Sequence, residues 1–127
     1  MKYEEKKLQK INLINNKSNI KDLFSMLENN FKSHCLVIKN SKIIYTTDKY
    51  KNLNNDILTE NLPNTVTKRK YIKLNDLNEI DGNIYINNFL ISDDKYFTVF
   101  KYNMRYMDYE ILLAFFNKIK LLISNES

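Results

Sequence analysis

The chain is poor in the residues that punctuate, staple or specialise a protein. It has one glycine (Gly82), one proline (Pro63), one cysteine (Cys35), one histidine (His34) and no tryptophan. A single glycine rules out a glycine-rich phosphate cradle and so excludes P-loop nucleotide hydrolysis. A single cysteine forbids an internal disulfide, and His34 and Cys35, adjacent on an expected strand, would point to opposite faces and share no metal. The same opposition denies them a Cys/His nucleophilic pair. No run of apolar residues reaches the roughly 18 needed to cross a bilayer, and the polar start at Met1 is no secretory signal, so a cytoplasmic location without membrane attachment is expected.

Arginine is also scarce, with only Arg69 and Arg105. The net charge of +5 comes from scattered lysines interleaved with acids such as Asp48, Asp56, Glu79 and Asp81. Direct nucleic-acid binding is therefore not expected, because it would call for cations gathered on one face. No nucleophile and base pair up by spacing: Ser25, Ser33 and Ser41 lack a nucleophile elbow, and Asp93-Asp94 falls in a turn. The sequence predicts no catalytic residue, no metal ligand and no cofactor.

What is present is a core. Hydrophobic residues make up 43% of 127 residues, with nine tyrosines and seven phenylalanines. That suffices for one domain. An amphipathic helix is expected over residues 3–15, followed by a break and a second helix capped by Ser18 or Asn19, in which Ile20, Leu23, Phe24, Leu27 and Phe31 recur at helical spacing. His34–Ile38 and Lys42–Thr46 read as strands about an Asn40-Ser41 turn. Asp48 is expected to cap a short helical turn, Ile57, Leu58 and Leu62 to anchor the middle segment, and Asn75–Asn83 to form a polar connection after a strand over residues 66–74. Residues 84–91 and 96–102 read as a hairpin about Ser92-Asp93-Asp94-Lys95. A last helix, capped by Asp108, carries the stripe Ile111, Phe115, Ile119, Leu122 and Ile123.

The fold class expected is α+β, with an antiparallel sheet flanked by N- and C-terminal helices. The domain would span residues 1–127, with residues 1–17 a dimerisation helix and 18–123 the core. Leu8, Ile11, Phe115, Ile119 and Leu122 are the predicted homodimer seam, since the terminal stripes lack an obvious partner; the alternative is that both helices pack on one sheet. A small-molecule pocket is predicted between sheet and middle loop at Tyr45, Leu53, Leu62, Val66 and Tyr71. The compact run Lys68-Arg69-Lys70 is the predicted contact for an anion or a partner.

Ile20-Lys21-Asp22-Leu23-Phe24-Ser25-Met26-Leu27-Glu28 and Cys35-Leu36-Val37-Ile38-Lys39-Asn40-Ser41-Lys42-Ile43-Ile44-Tyr45 resemble the helix and first hairpin of GAF domains in cytosolic transcriptional regulators. Residues 96–102 and 107–119 resemble the last strand and final helix of the same domain. The segment Leu62-Pro63-Asn64-Thr65-Val66-Thr67-Lys68 is similar to one that, in CodY-type nutrient-sensing regulators, lies beside a branched-chain amino-acid pocket. The resemblance implies a GAF/PAS-like, non-enzymatic sensor in signalling or transcriptional control; the family's winged-helix DNA-reading domain is a point where this chain departs from the pattern, and a direct repressor role is not expected. Two alternatives stand beside it: a pocketless protein-interaction scaffold of the same fold, and a small nucleic-acid-binding protein dependent on Lys68, Arg69 and Lys70.

Overall fold

Alternation along the central strands places apolar side chains on both sides of one sheet, and each side then needs its own cover. The computed structural model, which describes residues 3–126, supplies two. In chain order the elements are α1 (Tyr3–Asn15), α2 (Ile20–Phe31), β1 (His34–Lys39), β2 (Lys42–Thr46), β3 (Thr67–Lys73), β4 (Glu79–Ile91), β5 (Asp94–Lys101) and α3 (Tyr109–Glu126). The strands form one sheet in the order β2-β1-β5-β4-β3, every neighbour pair antiparallel. The fold is α+β, as expected. The parts of the expected domain and first helix that fall on residues 1, 2 and 127 lie outside the described residues.

One face carries Cys35, Val37, Tyr85, Phe89, Tyr96 and Phe100 and packs against all three helices. Asn19 begins α2, its side-chain oxygen accepting from the Asp22 amide at 2.8 Å, and Asp108 does the same for α3 through Ile111 at 3.0 Å. Each cap satisfies an amide that the first helical turn leaves without a partner. Helices α1 and α3 run side by side in the same direction: Lys7 meets Asp108 and Glu110, and Lys118 donates to the carbonyl of Asn15.

The other face carries Leu36, Ile38, Ile72, Ile80, Ile84, Ile86, Phe97 and Val99. Residues 47–66 cover it with no helix longer than the short 3-10 turns Asp48–Tyr50 and Thr59–Asn61. Tyr50, Ile57 and Leu62 reach in and are buried, while Leu58, an expected anchor, is exposed. Backbone bonds hold the segment down, Ile57 N to Ser41 O at 2.8 Å and Leu58 N to Leu74 O at 2.8 Å. Asn75 adds a side-chain tie by donating to the carbonyl of Asp56 at 2.7 Å.

The expected polar connection 75–83 is shorter than the sequence suggests. Strand β4 already begins at Glu79, so Gly82 and Asn83 lie inside it. Opposite them the register with β3 shifts between Arg69 and Tyr71, and Gly82 adopts φ +129, a backbone angle that side chains other than hydrogen rarely tolerate.

Candidate basic site at the sheet end

The predicted pocket does not assemble. Tyr45 lies on β2 against the helix-covered core, its hydroxyl donating to Glu126 at 2.5 Å, and that carboxylate together with partial burial raises its pKa to about 12. Tyr71 sits at the opposite edge of the sheet on β3, exposed, donating to Glu79 at 2.7 Å. Leu62 is buried in the core of the other face, Leu53 packs against that core, and Val66 is 51% exposed. The correction has a plain cause: the apolar walls close on one another, and each phenol already has a carboxylate of its own.

The predicted dimer seam is corrected as well. Phe115 and Ile119 are fully buried and Leu122 nearly so, inside this protomer's own core. Ile11 packs against that core, and Leu8 alone of the five is exposed, at 59%. The stripes of α1 and α3 have each other and the sheet as partners, which is the alternative the sequence had left open.

Nor do Lys68, Arg69 and Lys70 form one patch. Lys68 is paired with Tyr85 and Arg69 with Ile84, whose side chains enter opposite cores, so strand alternation separates the two cations. The Lys68 ammonium lies 5.6 Å from the Tyr109 ring centroid. Lys70 donates to the Asn83 side chain and so reaches the end of the sheet where a different basic surface lies.

That surface is an open hollow of about 510 Å³ lined by Lys32, His34, Lys49, Gly82, Asn83, Lys101, Tyr102, Asn103, Met104 and Arg105. It is built by the meeting of strand ends: His34 opens β1, Lys101 closes β5, and the two are register partners. Lys101 also faces Ile84 across β4, and its aliphatic chain lies over Gly82, where an added Cβ would come within 2.9 Å of its Cε. Lys32 ends α2 in a left-handed conformation, φ 51. The turn after β5 is fixed by Ser33, whose buried hydroxyl donates to Phe31 O and accepts from Asn103 N at 2.9 Å. Asn103 in turn accepts from the Arg105 amide through its side chain at 2.9 Å, which sets where Arg105 leaves the turn.

Among the described residues no acidic side chain lines this hollow, and Lys32, Lys49, Lys101 and Arg105 make no ion pair. The nearby Glu28 is fully engaged. Its carboxylate lies 3.0 Å from His34 Nδ1 and accepts from the amides of Asp48 and Lys49, which fixes Lys49 at the rim. Because a carboxylate accepts only, Nδ1 of His34 is the donor in this contact. Cys35, next in sequence, points into the helix-covered core, and burial raises its thiol pKa well above the ordinary value, which disfavours the reactive thiolate.

Sequence reasoning missed this site because its cations stand at positions 32, 49, 101 and 105. The available signal was positional. Lys32 just precedes β1 and Lys101 ends β5, so pairing those strands antiparallel brings the two lysines to one end.

Compared with protein-family models, curated proteins and solved structures, the chain finds no match in any of the three.

Proposed function

We propose that the protein is a non-enzymatic regulatory module of GAF/PAS-like architecture that binds an anionic partner at the basic end of its sheet. The observation that carries this reading is the convergence of four cations, none of them ion-paired among the described residues, around a hollow without a lining carboxylate. Concentrating like charge in a concave surface raises the local potential and attracts counter-charge, and relief of that repulsion favours binding. An internal small-molecule site draws less support. The five side chains expected to line it are divided between two faces and two edges of the sheet, and the middle segment seals its own core.

Inorganic tripolyphosphate, measured by calorimetry, tests the reading. A variant combining Lys49→Glu, Lys101→Glu and Arg105→Glu should lose at least about tenfold in affinity, and binding by the native protein should weaken as salt rises. A control of equal charge change, Lys17→Glu with Lys21→Glu and Lys120→Glu, should lose far less. Equal losses in the two triple variants would show a response to net charge alone and overturn the site.

A further inference from the structure

The hollow does not end at Arg105. Met104, Arg105 and Tyr106 also line a second cleft, of about 140 Å³, whose other walls are α1, with Lys6, Lys7 and Lys10, and the start of α3, where Asp108 is paired with Lys7. Lys6, Lys10 and Arg105 remain in that cleft beyond the Lys7–Asp108 pair, and two depressions of net positive lining that adjoin at one turn suit an extended anion better than a compact one. Beside the cations lie apolar surfaces turned outward, Met104 at 67% and Tyr106 at 42% exposure, with Tyr102 half-buried in the first hollow. An aromatic ring left in water among lysines contributes little to folding. It offers a face on which a base can stack while neighbouring ammonium groups follow a phosphate backbone.

We infer that this shelf binds single-stranded nucleic acid, with Lys49, Lys101 and Arg105 holding the backbone at one end, Lys6 and Lys10 continuing the track, and Tyr106 stacking on a base. The inference rests on the anion-binding reading above and deepens it. Sequence preference should be slight. Only one arginine is at hand for bidentate reading of a base edge, and lysines contact phosphate as point charges. A duplex is disfavoured because the shelf is formed by a turn, strand ends and the flank of α1, which packs along α3 and does not project to enter a groove.

Fluorescence anisotropy with a labelled strand of about ten nucleotides, at about 50 mM salt, tests this. The strand should bind at least about fivefold more tightly than a duplex of the same length, since only its bases are free to stack. Against the logarithm of salt concentration, the logarithm of the binding constant should fall with a slope of roughly −2 to −3.5, as expected when three to five phosphates are neutralised. Tyr106→Ala should weaken strand binding about five- to tenfold, whereas Tyr106→Phe, which keeps the ring, should bind like the native protein. Lys6→Glu with Lys10→Glu should weaken the strand more than it weakens tripolyphosphate. The inference is overturned, with the anion site intact, if tripolyphosphate still binds but the strand gains nothing over it or Tyr106→Ala is silent. If tripolyphosphate itself fails to bind, the underlying reading falls too.

Discussion

Helices α1, α2 and α3 cover one face of the sheet through stripes recurring every third or fourth residue, whereas residues 47–66 cover the other through Tyr50, Ile57 and Leu62 and a set of backbone and asparagine hydrogen bonds. The first cover is held by periodic apolar contact. The second is held by a few anchors whose intervening backbone finds partners in Ser41, Ile43, Leu74 and Asn75. The contrast teaches that regular structure is not needed to close a core, provided the irregular backbone is hydrogen-bonded and its anchors fill the space. Because both faces are closed, the proposed recognition site falls where the strands run out.

The largest effect that would sharpen this contrast lies on the helix face. Phe115 is fully buried and meets Phe31 edge-on, with ring centroids 5.2 Å apart. Phe115→Ala should cost about 3–5 kcal/mol in urea unfolding, with the loss felt globally. Ile57→Ala on the other face should cost about 2–4 kcal/mol. If the middle segment is a local clasp, hydrogen exchange should rise first between residues 47 and 66 while the α3 amides stay protected. Exchange rising equally in both regions would show that the two covers fail as one unit.

Next in size is the asparagine pin. Asn75 is buried, donates to the carbonyls of Asp56 and Asn54, and accepts from the amides of Leu77 and Asn78. Asn75→Ala should cost about 1–3 kcal/mol by leaving those groups without partners. Asn75→Asp would keep the two acceptor bonds but turn a carboxylate oxygen toward the carbonyls of Asn54 and Asp56, and so should cost at least as much as the alanine variant. An alanine variant as stable as the native protein would mean that apolar anchoring alone holds the segment.

The sequence carried the periodic half of this architecture further than the irregular half. Helices α1, α2 and α3, the Asn40-Ser41 turn and the hairpin around Ser92 were legible because apolar spacing and turn chemistry are local signals. Gly82 was misread because a glycine among polar residues has the composition of a loop, while its role is set by the register shift opposite β3 and by the Lys101 side chain lying over it. The stripe on α3 was read correctly as apolar and wrongly as unpartnered. Periodicity shows which side chains seek cover, and the parallel placement of α1 beside α3 decides what supplies it. The basic hollow, drawn from four distant stretches, has no local signature at all.

Smallest is the effect of Tyr50, whose buried hydroxyl has no hydrogen-bond partner among the described residues. Tyr50→Phe should be neutral or stabilising by up to about 1 kcal/mol, since it removes a polar group buried without compensation. Burial raises the Tyr50 pKa above its ordinary value of 10.0, so the unfolded chain releases that proton first. Stability from this group is therefore complete below pH 10 and declines as pH rises from there toward the folded-state value. The fall in melting temperature between about pH 9 and 11 should be smaller in Tyr50→Phe than in the native protein. An unchanged alkaline slope would mean that other groups, such as Tyr85 and Cys35, control it.

The central claim is that recognition lies at the basic end of the sheet and not beneath its covers. Backbone amide shifts followed by NMR during titration with tripolyphosphate test it most directly. The account predicts movement concentrated at Lys49, Gly82, Asn83, Lys101, Tyr102 and Arg105, with the amides of Leu53, Ile57 and Leu62 still. Shifts centred on the middle segment, or spread evenly over every lysine-bearing surface, would contradict it.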